Sequence, residues 1–235
     1  MTTDIGLRRG CPHPPGPVIF DCDGTLVATE GLWDGAYTIL FDRYQTMLSR
    51  PDRHRLVGLT LGDLGREISR LIGQPHRHRE LATEVLDLVS NNLGRGVAAM
   101  PGAVELVTAL ARTRPIGVAS NTLRSAVVEY LTQIGIGRLV DVVVCSDDVA
   151  APKPAPDVYL TACARLGFNP GAAVAIEDSA AGAHAAHTAG LYVIGVPSQP
   201  DLLLPAADVV YPSLNDPGLR QILTAGGSIV RRTAM

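Results

Sequence analysis

Asp21 and Asp23 stand one residue apart at the end of an apolar run, in the stretch VIFDCDGTL (Val18–Leu26), and the chain turns at once on Gly24-Thr25. Two carboxylates that close raise each other's pKa unless a cation or hydrogen bonds intervene. Far along the chain a second apolar run, AAVAIED (172–178), ends on Glu177-Asp178. Brought to one crevice, these four carboxylates would need a counter-ion. Hard oxygen ligands with room for water and phosphate suit Mg²⁺. Mg²⁺ in turn points to phosphate chemistry, because it neutralises phosphoryl oxygens while a nucleophile attacks in line. On that reading Asp21 attacks phosphorus and becomes a covalent aspartyl phosphate. Asp23 protonates the leaving oxygen and later deprotonates water. Gly24 permits the tight turn, Thr25 hydrogen-bonds the turn and steadies Asp23, and the backbone N–H groups of Cys22 and Asp23 bind phosphoryl oxygens.

Such a crevice needs elements that bring distant residues together. From Pro101 onward, apolar runs at 115–120, 141–146, 172–178, 191–196 and 207–211 alternate with amphipathic stretches, and Gly135 and Gly167 close two helices. Val/Ile-rich strands alternating with helices predict a parallel sheet covered on both faces. Residues 29–98 break the rhythm and hold no convincing strand. Trp33, Tyr37, Leu40, Tyr44 and Met47 or Leu48 recur at helical spacing, and further helices are expected near 61–72 and 79–93. The expected fold is therefore α/β: a Rossmann-like parallel-sheet core, 16–28 plus 99–235, with an all-helical cap inserted over 29–98. Ligands in open α/β sheets bind beyond the carboxyl ends of the strands. That rule points to Asp21–Thr25, Ser120-Asn121, Ser146–Asp148 and Glu177-Asp178.

The bulk properties exclude other classes. A hydrophobic share of 46% and a charged share of 18% suit a well-cored globular protein. A formal charge of −3 without a basic run argues against nucleic acid as partner. No apolar run approaches the ~20 residues of a membrane span. Residues 1–15 read as a flexible Pro/Gly-rich tail without the apolar stretch of a signal peptide. Cys11, Cys22, Cys145 and Cys163 show no CxxC spacing, so free thiols and a cytoplasmic location are expected. A catalytic Cys22 would need an arginine where Ala28 stands.

DCDGT, VASN, KPAPD and IEDS occur in the order and approximate spacing of the haloacid dehalogenase-like hydrolases, and the chain resembles the branch with a small helical cap. The resemblance implies Asp21 as nucleophile and Asp23 as acid/base. It implies Ser120 as the phosphate-binding hydroxyl, with the Asn121 amide as helper, and Lys153 as the cation offsetting charge on nucleophile and phosphate. Asp178 matches a Mg²⁺ ligand, together with Asp21 and the main-chain carbonyl of Asp23, and Glu177 a more distant or water-mediated contact. Lys153 is the only lysine in the chain, which suggests a need for a compact ammonium. Ser120 also suits a helix cap, and Glu177-Asp178-Ser179 a helix N-terminus. His184 and His187 read as a solvated helix face, and Asp147-Asp148 as part of the loop before Lys153.

The same resemblance narrows the reaction. Haloacid dehalogenases lack the second aspartate, and phosphonoacetaldehyde hydrolases need a cap lysine that is missing here. β-Phosphoglucomutases carry a cap histidine and arginine where this chain has Trp33 and Leu61, although Arg55, Arg66 and Arg70 leave another grip on a distal phosphate open. The expectation is a Mg²⁺-dependent phosphatase of a small phosphorylated metabolite, a sugar or polyol phosphate, with Trp33 and Arg55 contacting substrate. A phosphomutase is the alternative, and a non-catalytic binding or regulatory protein on this fold a third. A monomer or weak homodimer is expected.

Overall fold

The computed structural model describes Cys11 and residues 16–93, 96–199 and 202–224. Of the expected tail over 1–15, all but Cys11 lies outside the described residues. Six strands form one parallel sheet: β1 (Val18–Phe20), β2 (Ile116–Ala119), β3 (Val142–Val144), β4 (Val174–Glu177), β5 (Tyr192–Gly195) and β6 (Val209–Val210), in the order β3-β2-β1-β4-β5-β6. Side chains alternate across it, as the two-residue period of a strand dictates. Val18, Phe20, Val174 and Ile176 pack on one face with α5 (Ala103–Leu110), α6 (Arg124–Gln133) and α9 (Pro217–Thr224). Ile19, Ala175 and Val193 pack on the other with α7 (Asp157–Leu166) and α8 (Ala180–Thr188). β1 is central. The chain builds β2 and β3 on one side of it, then crosses to β4 on the other. A switch of that kind opens a crevice between β1 and β4 at their carboxyl ends.

Between β1 and α5 the described chain is helical: α1 (Glu30–Arg43), α2 (Arg50–Leu56), α3 (Leu61–Ile72) and α4 (His78–Leu93). Leu40, Ile68, Leu81 and Val85 are fully buried in a core of their own, each worth roughly 1.5–3 kcal/mol. The two connecting segments are paired: Ala28 N–H donates to Ala98 O and Met100 N–H to Leu26 O, both at 2.9 Å. α1 is shorter than its apolar spacing predicts. It ends at Arg43, Gln45 adopts a φ of 51°, and Met47 is 94% exposed. The next helix, α2, was not expected; the Ser49 side chain caps it by accepting from Asp52 N–H. Among the described residues no helix is long and apolar enough to cross a membrane.

Candidate active site

The turn after β1 is closed by backbone bonds: Gly24 N–H donates to Val27 O, and Leu26 and Val27 N–H to Cys22 O. Gly24 is required twice over. Its φ is +79°, and a Cβ there would stand 2.2 Å from Asp178 Oδ2. The turn thus brings the β1 end against the β4 end. Asp21, buried, receives a hydrogen bond on Oδ1 from Lys153 Nζ at 2.6 Å. The same ammonium donates to Glu177 Oε1 at 2.6 Å and to Ala119 O at 2.8 Å. Burial opposes the Lys153 charge, but Asp21 and Glu177 outweigh it and hold its pKa well above the usual lysine value. Asp21 is pushed up to about 7 by burial, against the pull of Lys153 and with the repulsion of Glu177 and Asp23. Burial, then Asp21 and Glu177, raise Asp178 well above the carboxylate range.

Glu177 is a fully buried brace. Oε1 accepts from Lys153 and from Tyr159 OH at 2.7 Å, and Oε2 accepts from Ser179 Oγ at 3.0 Å. Both oxygens are thus engaged. A Cβ at Gly182 would stand 1.8 Å from Oε1, so α8 needs glycine there to seat the carboxylate at its N-terminus. Glu177 therefore holds Lys153 rather than facing the crevice, while Asp21 and Asp178 do line it.

Asp23 is oriented from the β2 end. Its Oδ2 accepts from Thr122 Oγ1 at 2.8 Å and Ser120 Oγ at 3.3 Å. Ser120 Oγ also accepts from Thr122 N–H at 3.0 Å. Asp23 Oδ1 is buried without a partner. Two expectations need correction here. Thr25 does not steady Asp23: the backbone bonds close the turn, the Thr25 hydroxyl is buried without a partner, and Thr122 takes that role. The Asn121 amide is not free for phosphate. Its Nδ2 donates to Lys153 O and Gly58 O, both at 2.9 Å, and its Oδ1 accepts from Lys153 N–H at 2.8 Å. Asn121 thereby ties the lysine loop to the loop between α2 and α3.

Cys22 packs its side chain in the core, and burial pushes its thiol well above the ordinary value. A neutral thiol is no nucleophile, and Cys22 is not among the residues that line the crevice. A divalent cation fits the remaining donor set. Carboxylate oxygens of Asp21 and Asp178 lie within 4.8 Å of each other, and Asp23 Oδ1 is buried without a partner. The expected carboxylates after β3 are spent elsewhere. Asp147 accepts from Arg124 N–H, and Asp148 from Cys145 N–H, Arg124 and Arg165. His184 and His187 lie on the exposed side of α8.

The crevice is roofed by the helical insertion, and its empty space, open mouth included, is about 820 Å³. Trp33 and Tyr37 of α1, ring centroids 6.0 Å apart, line it with Leu56, Val57, Leu59 and Leu64. Arg55 does not. It is 58% exposed beside Asp52 and Glu67, because the helical turn that points Arg53 inward carries Arg55 out. Arg66 and Arg70 pair with Asp63 and Glu67 on the outside of α3. The arginine that lines the crevice is Arg53, ion-paired with Asp34. Thr122, Tyr159, Asp34 and Arg53 escaped sequence reasoning, since each takes its role from a partner far along the chain.

Residues 18–196 match the family described as haloacid dehalogenase-like hydrolase. The chain is 32% identical over 204 residues to validoxylamine A 7'-phosphate phosphatase of Streptomyces hygroscopicus subsp. limoneus, covering 84% of this chain and 93% of that one. It is 28% identical over 179 residues to fructose-1-phosphate phosphatase YqaB of Escherichia coli (strain K12), covering 76% and 95%. Among solved structures, CbbY from Rhodobacter sphaeroides in complex with phosphate superposes with a TM-score of 0.70 at 27% identity, over 84% of this chain and 94% of that one. β-Phosphoglucomutase from Clostridium difficile superposes at 0.74 with 21% identity, over 85% and 91%, a likeness of fold.

Proposed function

Since this chain belongs to the haloacid dehalogenase-like hydrolases and named phosphatases are among its relatives, we propose that it hydrolyses a sugar or polyol phosphate through an aspartyl-phosphate intermediate. The observation that carries this reading is the contrast between its two aspartates. Asp21 is anchored by Lys153, whereas Asp23 is fixed through Oδ2 and keeps a buried, unpartnered Oδ1. That contrast supports Asp21 as nucleophile and Asp23 as proton carrier.

A carboxylate oxygen of Asp21 attacks phosphorus as the ester P–O bond breaks, and Asp23 gives its proton to the departing alcohol. Asp23, now ionised, takes a proton from water. The water oxygen attacks phosphorus and the bond to Asp21 breaks, releasing phosphate. Lys153 and Ser120 offset charge on the phosphoryl oxygens. Asp21, Asp178 and the main-chain carbonyl of Asp23 would hold Mg²⁺, which when bound neutralises phosphoryl charge. Closure of the helical roof excludes water, with Trp33 against the alcohol portion. Free buried thiols fit a reducing compartment as its site of action.

The crevice offers a mutase little to hold a second phosphate, because Arg53 already has its counter-charge in Asp34. The test is phosphate release across a panel of sugar phosphates with Mg²⁺, with EDTA and Asp21→Asn as controls, alongside product analysis on β-glucose 1-phosphate plus a bisphosphate activator. Metal-dependent release lost in Asp21→Asn is the expected result. Conversion to the 6-phosphate with little free phosphate would overturn it.

A further inference from the structure

Among the described residues lining the crevice, the anions are Asp21, Asp23, Asp34 and Asp178, and the cations are Lys153 and Arg53. Lys153 is committed to Asp21 and Glu177. Arg53 is therefore the only cation on the side where the alcohol portion would lie. A free guanidinium there would grip a second phosphate or a carboxylate in bidentate fashion. Its Nη1 is instead tied to Asp34 Oδ1, which links α2 to α1. Asp34 is 54% exposed and lines the open space, so its charge is felt by whatever enters. A pair this exposed contributes little to stability, and its removal should leave the fold intact.

We infer that Asp34 is a built-in counter-anion that occupies Arg53 and repels a second negative group, so that the crevice selects monophosphate esters whose far end carries hydroxyls and no charge. The inference rests on the phosphatase reading above and narrows its substrate class to neutral polyols and cyclic polyols. Carboxylate and guanidinium together offer an acceptor and donors to neighbouring hydroxyls, and Trp33 offers the carbon skeleton a flat apolar face. Selectivity arises by rejection, since like charges forced together disfavour the wrong ligand.

The experiment compares fructose 1-phosphate with fructose 1,6-bisphosphate, which differ by one distal phosphate. Affinities are measured by calorimetry with Mg²⁺ in an Asp21→Asn background, and kcat/KM is measured in the otherwise native enzyme. Asp34→Asn should raise the bisphosphate-to-monophosphate ratio about tenfold, through Kd and KM rather than kcat, and Asp34→Ala should do the same. Adding Arg53→Gln to Asp34→Asn should return the ratio to the starting value. A ratio unchanged within twofold, or a rise that survives Arg53→Gln, would overturn the inference. p-Nitrophenyl phosphate hydrolysis separates the two readings. Its absence in the native enzyme counts against the phosphatase assignment, while the calorimetric ratio still decides the role of Asp34.

Discussion

Two acidic clusters lie at the carboxyl ends of the same sheet, and their surroundings treat them in opposite ways. After β3, Asp147 and Asp148 lie with Cys145 in a group compact enough to hold a metal. Yet Asp148 accepts from Cys145 N–H, Arg124 and Arg165. Burial pushes its carboxyl up, but those donors outweigh it and hold it below the usual value. Between β1 and β4, one buried ammonium pairs with Asp21 and Glu177, and burial drives Asp21 and Asp178 upward. Compactness alone does not mark a metal site. What separates the two is whether the protein itself supplies the compensating charge. Satisfied carboxylates stabilise a loop, whereas buried ones short of compensating charge would be eased by a bound cation.

The sharpest way to break this contrast is to neutralise one carboxylate in each cluster. Asp21→Asn should lower turnover by at least ~10³-fold, since no nucleophile remains, while Tm in chelator at pH 8 holds or rises because an unfavourable buried charge is gone. Asp148→Asn should do the reverse. Loss of one charged acceptor from Arg124, Arg165 and Cys145 N–H should cost about 1–3 kcal/mol, lowering Tm by roughly 2–4 °C per kcal/mol. Turnover per folded molecule should stay within twofold. A destabilised Asp21→Asn or an inactive, stable Asp148→Asn would erase the distinction.

The clusters should also respond to pH with opposite sign. Asp21 is raised from 3.8 to about 7 in the folded chain. Without metal its penalty is absent below the lower value, grows as pH rises between the two, and is full above the upper. Asp148 lies below its unfolded value of 3.8, so its contribution is present above that pH and is lost as pH falls through the depressed folded value. Denaturant midpoints in EDTA should show Asp21→Asn gaining on the native protein from pH 5 to 8, with Mg²⁺ closing the gap. Asp148→Asn should keep a constant deficit over the same range. A flat difference for Asp21→Asn would mean that Lys153 already compensates it.

The same contrast explains what the sequence discloses. Strands are legible because buried parallel strands leave Val/Ile runs such as VAIE and YVIG bounded by turn residues, and a strand end fixes where Asp21 and Asp178 must lie. α3 is legible from one apolar face closed by Gly73. α2 is not, since RPDRHRL buries only Leu56 and shows no periodicity. Its polar sequence nonetheless puts Arg53 in the crevice. Partners are hidden for a related reason. Nothing local distinguishes Asp148, bound by Arg165, from Asp178, and nothing in Thr122 announces Asp23, 99 positions away. Charge compensation is a tertiary property, and short spacing reveals only which residues want it.

Thr122 offers the finest test, because it satisfies half of a carboxylate and leaves the other half open. Its hydroxyl is the closer of the two holding Asp23 Oδ2, and Thr122→Val removes it with little change of shape. A hydrogen bond to a charged group contributes ~1.5–3 kcal/mol. With Ser120 still in place, part of that is retained, and kcat should fall by about tenfold. KM should scarcely move, since in the proposed mechanism Asp23 acts on the proton rather than on binding. The loss should be larger for alkyl phosphates, whose alkoxide needs protonation, than for p-nitrophenyl phosphate, whose leaving group does not. An equal loss on both would tie Thr122 to the shared water-activating step or to the architecture of the β2 turn. A distinctly larger loss on alkyl phosphates would make it the residue that aims the acid.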